Sequence, residues 1–264
     1  MKYLNGNKKN SLNNLEKFLN ARRLKQQNQS KIVKKLLLDV KKYGDKSVLK
    51  FEKKFSKLKT NTKKIKFSKD EINQISKKVD KKLKKSIDIA FKRIKYFHTK
   101  QKFSSFRYKD KFKNELSYKY SPIERVGVYV PGGTASYPST VLMNCIPALV
   151  AGVKNIFLTT PALGSSVNPA VIYAAKKCGV KEIYKTGGAH SIAAFTYGTK
   201  TFKKVDKIVG PGYAFVAAAK KEVFGEVGID MVAGPSEVSI VADKNSNANC
   251  CLLYTSPSPR DLWI

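Results

Sequence analysis

The sequence predicts an α/β fold: a Rossmann-like parallel sheet with helices on both faces, preceded by an N-terminal helical segment. Three observations support this fold class. Four apolar, β-like stretches end in glycine turns between residues 126 and 236, β-rich runs alternate with helix-compatible runs in that region, and apolar residues recur every three or four positions before residue 100. Strands that alternate with helices of this length form right-handed crossovers, which require a parallel sheet covered on both faces.

The chain is long enough to bury a large core, and its charge is unevenly spread. It has 264 residues, 42% of them apolar, and a net charge of +33. Residues 1–120 hold 38 Lys and Arg against 10 Asp and Glu. Such a basic half could bind nucleic acid or an acidic membrane. Lysine outnumbers arginine 46 to 6, which favours solvated helix faces, because Arg is the better ligand for phosphate and guanine.

Cysteine usage and hydropathy indicate a cytoplasmic protein. Cys145 and Cys178 stand singly in apolar, helix-like stretches, where we expect them to be small core residues. No Cys/His spacing resembles a zinc clip. Residues 1–18 lack the apolar core of a signal peptide, and the longest apolar window, residues 141–158, is interrupted by polar residues and proline, so no membrane span is predicted.

The N-terminal helical segment is expected to begin at Ser30. Residues 1–29 are polar and rich in Asn and Lys, and we interpret them as an arm that packs only against a partner. Apolar positions between residues 33 and 40 then share one helical face, and Gly44 ends that run. A second short helix is expected over residues 48–55. We assign residues 30–120 to the helical part of a first, incomplete domain.

A long amphipathic helix is the clearest element of this segment. Ser68 followed by Glu71 makes a capping box at its start. Apolar residues then recur at steps of three and four as far as Ile94, and lysines fill the opposite face. We expect one helix with a solvated basic side. Residues 101–120 are aromatic and charged without clear periodicity, and we expect them to act as a connection.

Residues 121–243 are predicted to form a Rossmann-like, ligand-binding domain. The expected strands are residues 126–130, 156–160, 182–186, 207–209 and 238–241. The expected helices are residues 139–152, 168–178, 188–197 and 213–224. The strand over 238–241 opens a second α/β unit that is cut off after it, which leaves an apolar face without its cover.

The glycine turns are the candidate ligand site. They lie in the segments 128–133 (VYVPGG), 185–188 (KTGG), 208–212 (IVGPG) and 231–236 (MVAGPS). Such turns bring backbone N–H groups and helix N-termini to one edge of a parallel sheet, where phosphates and small ligands bind. None has the strict GxGxxG spacing of the dinucleotide fingerprint. Each glycine pair taken alone serves equally for a tight turn, and the succession of turns is what favours a ligand.

Four side chains beside these turns are candidate contacts. Tyr129 and Tyr213 could stack on a ligand ring or cap the core, and Ser236 could bind a polar substrate or cap a turn. His190 lies near the start of a predicted helix, where a capping or packing role is favoured because no partner carboxylate is in view. No Ser/His/Asp triad or carboxylate pair can be assembled. From the residues alone, the chemistry stays open.

Residues 250–264 (CCLLYTSPSPRDLWI) break the pattern of the preceding sequence. They fit neither strand nor helix and resemble the translated adapter sequence that ends some assembled gene fragments. We therefore interpret them as a non-native tail, with native sequence ending near Asn249. A genuine stop codon at this point in a second, independent clone would contradict this interpretation.

Four ordered motifs resemble the histidinol dehydrogenase family. They are residues 125–133 (RVGVYVPGG) with 139–143 (STVLM), 187–189 (GGA), 205–212 (VDKIVGPG) and 228–237 (GIDMVAGPSE), and the resemblance extends over roughly residues 18–243. It implies a homodimeric, zinc-dependent enzyme that oxidises L-histidinol to L-histidine through an aldehyde, with two NAD⁺. A sister dehydrogenase of another polar alcohol, such as a sulfonated diol, is the second hypothesis. A lysine-rich nucleic-acid-binding protein is the third.

The resemblance also assigns roles to the candidate side chains. Tyr129 is similar to the NAD-contacting tyrosine of the family, and Ser236 to its substrate-binding serine. His190 and Tyr213 occupy two further NAD-contacting positions, where the family usually has Gln and Asn. An imidazole still offers a hydrogen-bonding atom, whereas the tyrosine is bulkier than Asn.

The resemblance places the zinc ligands and the Glu–His acid/base pair of the family beyond Asn249. A chain without them cannot build the zinc site or supply the catalytic base. We therefore expect this polypeptide, as written, to be inactive and either poorly soluble or abnormally dimerised.

Overall fold

The protein is described from a computed structural model, which covers residues 10–56, 60–132, 137–162 and 167–232. The helices are α1 (Ser11–Tyr43), α2 (Asp45–Phe51), a π-helix (Glu52–Ser56), α3 (Lys69–Lys77), α4 (Lys81–Thr99), α5 (Pro138–Ala151), α6 (Pro169–Lys177), α7 (Gly188–Tyr197) and α8 (Ala214–Val223). The strands are β1 (Phe106–Lys109), β2 (Glu115–Tyr118), β3 (Arg125–Tyr129), β4 (Asn155–Thr159), β5 (Glu182–Tyr184), β6 (Lys207–Val209) and β7 (Gly228–Ile229).

A parallel five-stranded sheet in the order β5-β4-β3-β6-β7 forms the centre. The chain moves outward from β3 through β4 to β5, and then crosses back to β6 and β7 on the other side of β3. Helices α5 and α6 pack on one face of the sheet, and α7 and α8 pack on the other. The predicted α/β class with a Rossmann-like parallel sheet is confirmed.

The strand and helix predictions within residues 121–232 are close to the observed elements. The four strands β3 to β6 and all four helices begin within one residue of their predicted starts. The two-residue strand β7 was not predicted, because its Gly-Ile sequence carries too few β-branched residues to stand out. The fifth predicted strand, residues 238–241, lies outside the described residues.

Two cores lie on opposite faces of the sheet, because strand side chains alternate between faces. Val128 and Leu158 point into the core shared by α3, α4, α5 and α6. Tyr129 and Phe157 point into the core shared by α1, α2, α7 and α8. The N-terminal helices therefore pack as outer layers on both faces of the same sheet. The division into domains at residues 29 and 120 stays a prediction.

The first helix begins at Ser11, so its expected start at Ser30 is wrong. The residues from 11 to 43 include no glycine or proline to break the helix. The first turns of α1 carry Leu12 and Leu15 at helical spacing, but both side chains are exposed, so a polar composition here does not mean the absence of a helix. Gly44, with φ of +54°, ends α1 as predicted.

The expected single long helix is two helices. The capping box of Ser68 and Glu71 begins α3 as predicted. The Asp80 carboxylate then accepts hydrogen bonds from the backbone N–H groups of Lys82 and Leu83 and caps a new helix, α4. Apolar spacing continues through the break because Val79, between the helices, is also buried.

Residues 101–120 contain an antiparallel hairpin where only a connection was expected. Strands β1 and β2 pair from Phe106 opposite Tyr118 to Lys109 opposite Glu115. All eight strand residues are exposed. Both strands do alternate apolar and polar residues (FRYK and ELSY), but each run is only four residues long and neither face is buried, so the strand signal is short and weak.

Candidate functional site

The described glycine turns converge at the carboxyl edge of the sheet. The strand order reverses between β3 and β6, which is where ligands bind in open α/β sheets. A Cβ on Gly210 would lie 2.1 Å from the carbonyl oxygen of Tyr129. A Cβ on Gly132 would lie 2.8 Å from the carbonyl oxygen of Pro161, and one on Gly187 would lie 2.3 Å from Pro161 Cγ. Glycine is therefore required at these positions by the close approach of neighbouring turns.

A buried carboxylate supports the turn at Gly187. Glu52, the first residue of the π-helix, is 0% exposed. Its Oε1 accepts a hydrogen bond from the backbone N–H of Gly187 at 2.9 Å and another from the hydroxyl of Thr186. The same oxygen lies 2.8 Å from Nε2 of His190, which is 2% exposed. The N-terminal helical segment thus reaches into the candidate site.

The Glu52–His190 pair leaves one polar atom on each side chain without a partner. Within the described residues, Glu52 Oε2 and His190 Nδ1 are buried and make no hydrogen bond. Burial alone would raise the pKa of Glu52, but the hydrogen bond and charge of His190 lower that pKa overall. The ring centroids of Phe51 and Phe55 lie 6.0 and 6.3 Å from the centroid of the imidazole ring, and the two rings shield one side of the imidazole from water.

Tyr129 connects the first turn to the second. Its ring is buried in the core, and its hydroxyl oxygen accepts a hydrogen bond from the backbone N–H of Gly188 at 3.2 Å. Burial raises the pKa of Tyr129 to about 12, so the hydroxyl stays protonated near neutral pH. The phenolic proton therefore remains available as a donor at the turn.

A buried ion pair supports the turn at Gly210. Lys220 of α8 is 1% exposed, and its Nζ donates to the Gly210 carbonyl oxygen at 2.9 Å and to the Asp230 carboxylate. Asp230 in turn accepts from the backbone N–H of Gly210 at 2.8 Å. The backbone N–H and the carbonyl oxygen of Gly210 are therefore both hydrogen-bonded to charged side chains.

The N-termini of α7 and α8 lie beside these turns. Neither N-cap residue, Gly187 or Tyr213, makes a side-chain capping hydrogen bond. The first N–H groups of such a helix have no intrahelical partner and favour a negatively charged group. The ring of Tyr213 is 66% exposed at the start of α8. At α7 the N–H groups of Gly187 and Gly188 already donate to the Glu52 carboxylate and the Tyr129 hydroxyl, so within the described residues α8 is the helix of the two whose N-terminus still offers N–H groups to a ligand.

The structure brings Tyr129, His190 and Tyr213 to one edge of the sheet, and Ser236 lies outside the described residues. Sequence reasoning missed Glu52 as the partner of His190, and it missed Lys220. The local sequence carried a signal that sets each of these two charged residues apart. Each charged residue occupies an otherwise apolar helical face, Glu52 four positions after Val48 and Lys220 four positions after Val216.

No zinc-fitting cluster is found in the described part of the chain. No group of three or more His, Cys, Asp or Glu side chains there could hold a metal ion. Cys145 and Cys178 are buried core residues, as expected. No helix among the described residues is long and apolar enough to span a membrane.

A cleft of about 1160 Å³ lies apart from the glycine turns. Its walls include the exposed side of α5 and the loops flanking the hairpin. The residues that line it include Phe103, Ile123, Met143, Pro147, Val209 and Asp230. The cleft shares only its rim, at Val209 and Asp230, with the turn at Gly210, so it is distinct from the candidate site.

Comparison with known proteins identifies the family. The sequence profile of the histidinol dehydrogenase family matches residues 19–253, which include the first four residues of the proposed foreign tail. Histidinol dehydrogenase of Pelagibacter ubique is 55% identical over 248 residues, which cover 94% of this chain and 57% of that protein. The Mesorhizobium japonicum enzyme is 46% identical, over 88% of this chain and 54% of that protein.

A solved structure agrees with these sequence relatives. Histidinol dehydrogenase from Elizabethkingia anophelis superposes with a TM-score of 0.74 at 42% identity, over 82% of this chain and 50% of that one. The chain therefore spans about half the length of the relatives it matches. It belongs to the histidinol dehydrogenase family.

Proposed function

We propose that this chain is the cofactor-facing half of a histidinol dehydrogenase. The observation that carries the proposal is the convergence of three glycine turns and the uncapped N-terminus of α8 at the point where the strand order reverses. That arrangement suits a dinucleotide, and relatives at up to 55% identity bear the name histidinol dehydrogenase.

NAD is the proposed cofactor and supplies the hydride acceptor when bound. The backbone N–H groups at the start of α8 would bind its phosphates. Tyr129 offers a phenolic proton at the Gly188 turn, His190 offers Nδ1, and Tyr213 offers an exposed ring. These three residues are the proposed NAD contacts, and each contributes binding and orientation.

The proposed substrate is L-histidinol, with Ser236 as its contact in this chain. The proposed reaction is the oxidation of L-histidinol to L-histidine through histidinal, with two NAD⁺. Because no zinc-fitting cluster is found in the described part of the chain, we propose that the zinc ligands and the acid/base pair come from sequence beyond Asn249. We also propose a cytoplasmic homodimer for the full-length protein.

Two experiments test this function. The chain alone, supplied with Zn²⁺, should show no histidinol-dependent reduction of NAD⁺, and measurable turnover would overturn the proposed division of the site. The full-length gene should restore growth to a strain blocked in histidinol oxidation. Failure of that rescue by a soluble full-length protein would favour the second candidate, a related dehydrogenase of another polar alcohol such as a sulfonated diol. The departures at His190 and Tyr213 are what keep that candidate open.

The nucleic-acid-binding alternative is tested by salt dependence. Binding through many phosphate contacts falls steeply between low and moderate salt. We expect retention of the chain on heparin to decline no faster than that of a folded protein of the same net charge. A steeper decline would favour a nucleic-acid site.

A further inference from the structure

Glu52 is a charged side chain without any role in the proposed function, yet it lies inside the candidate site. It is fully buried, and three hydrogen-bond donors converge on its Oε1: the Gly187 N–H, the Thr186 hydroxyl and His190 Nε2. A buried carboxylate is costly unless its partners compensate for lost hydration. The turn and the imidazole supply those partners.

The pair also fixes which nitrogen of His190 is free. Because Glu52 Oε1 accepts from Nε2, that nitrogen carries a proton, and Nδ1 is the remaining polar atom. Nδ1 makes no hydrogen bond although it is buried. It lies at the turn, since a Cβ on Gly188 would be 3.4 Å from Nδ1 and 3.3 Å from Cε1. A buried, unpartnered polar atom at a candidate ligand site indicates a partner that arrives with the ligand.

We propose that Glu52 is a positioning residue for the cofactor, which acts through His190 by presenting Nδ1 at the Gly187–Gly188 turn. This inference rests on the proposed NAD-binding function and adds a residue to it. Glu52 holds the turn through Gly187 N–H and holds the imidazole through Nε2 with the same oxygen. The cofactor then meets a turn and a ring that are already fixed relative to each other.

The first test detects the fixed imidazole without any ligand. The chain has two histidines, so His98→Gln leaves His190 as the only source of imidazole signals in a sample with ¹⁵N-labelled histidine. We expect a slowly exchanging Nε2–H resonance in this background and its loss in Glu52→Leu. An Nε2 without a proton in the parent chain would overturn the proposal.

The second test measures NAD⁺ affinity by calorimetry on the full chain, kept fused to a solubility partner. We expect Glu52→Gln and His190→Ala each to weaken binding by about tenfold. Because Glu52 acts through His190, the double variant should bind no more weakly than His190→Ala alone. Fully additive losses would instead indicate that Glu52 only supports the fold.

A matched control is available on a neighbouring element. Glu71 of α3 pairs with Lys185 at 2.7 Å, at the first residue of the same segment, but makes no hydrogen bond to Gly187, Gly188 or His190. Glu71→Gln should leave NAD⁺ affinity unchanged, and an equal loss there would contradict a specific role for Glu52. If the parent chain shows the Nε2–H signal but binds no NAD⁺, the proposed function fails while the fixed imidazole stands. If it binds NAD⁺ and Glu52→Gln binds equally well, the proposal itself fails.

Discussion

The turns at Gly187 and Gly210 are both held by buried charged side chains, but the charges come from different distances along the chain. At Gly210, Lys220 and Asp230 lie 10 and 20 positions away, within the same α/β layer. At Gly187, the supporting carboxylate of Glu52 lies 135 positions earlier, on the N-terminal helical segment. One turn is therefore supported locally and the other by a distant element.

This difference shows that the N-terminal segment is part of the candidate site. Helix α2 and the π-helix follow each other without a break from Asp45 to Ser56. Glu52 in the middle of this stretch is in direct contact with the turn. The Gly187 turn should depend on how this segment is docked, whereas the Gly210 turn should not. Substitutions of Glu52 and of Asp230 test the two turns separately.

The largest effect is expected from Glu52→Ala. It leaves the Gly187 N–H, the Thr186 hydroxyl and His190 Nε2 buried without their acceptor, and we expect unfolding free energy to fall by about 3–5 kcal/mol. Urea denaturation followed by circular dichroism measures this. Glu226→Ala is the control, since its exposed pair with Lys204 should contribute under about 1 kcal/mol. Equal losses in the two variants would contradict the special status of Glu52.

A smaller loss is expected from Asp230→Ala. Lys220 would then be a buried cation with only the Gly210 carbonyl oxygen as its partner, which should cost about 2–3 kcal/mol because Asp230 is partly exposed. The variant Lys220→Met in the same background removes the unpaired charge and should recover part of that loss. If the second substitution adds to the loss instead, the ion pair does not support this turn in the way described.

Acid should weaken the Gly187 turn through Glu52. The pKa of Glu52 is lowered in the folded protein, so its contribution to stability is present above its unfolded pKa, near 4.5, and is lost as pH falls through the lower folded value. The pKa values of Glu71, Asp88 and Asp110 are also lowered, so these carboxylates contribute to the same loss of unfolding free energy at low pH. Unfolding free energy should therefore depend less steeply on pH below 4.5 in Glu52→Gln than in the parent chain. Superimposable profiles would exclude this linkage.

The smallest effect on stability is expected from Tyr213→Asn, at the exposed start of α8. Its side chain is largely in solvent, so little packing is lost, and Asn as the N-cap of α8 should raise the unfolding free energy by about 0.5–1 kcal/mol. NAD⁺ affinity is the informative measurement. Tighter binding by the variant would show that the tyrosine ring obstructs the cofactor, and weaker binding would show that the ring contacts it. An unchanged affinity would remove Tyr213 from the proposed site.

Local sequence signals predicted the α/β layer well, for a physical reason. Glycine turns and β-branched runs mark strands β3 to β6 and helices α5 to α8, and parallel connectivity follows from their alternation. The boundary between α3 and α4 was missed because the apolar period continues through Val79 while Asp80 ends it by capping. The partner of His190 could not be predicted, because only tertiary packing brings Glu52 to it from 138 positions away.

The central claim, that this chain is the cofactor-facing half of a histidinol dehydrogenase, is tested most directly by restoring the other half. Residues 1–249 would be joined to the C-terminal part of the Pelagibacter ubique relative, the part that this chain does not match. We predict that the folded chimera, with Zn²⁺, forms two NADH for each L-histidinol consumed. A folded chimera that forms no NADH from L-histidinol, while the intact relative does so under the same conditions, would contradict the account.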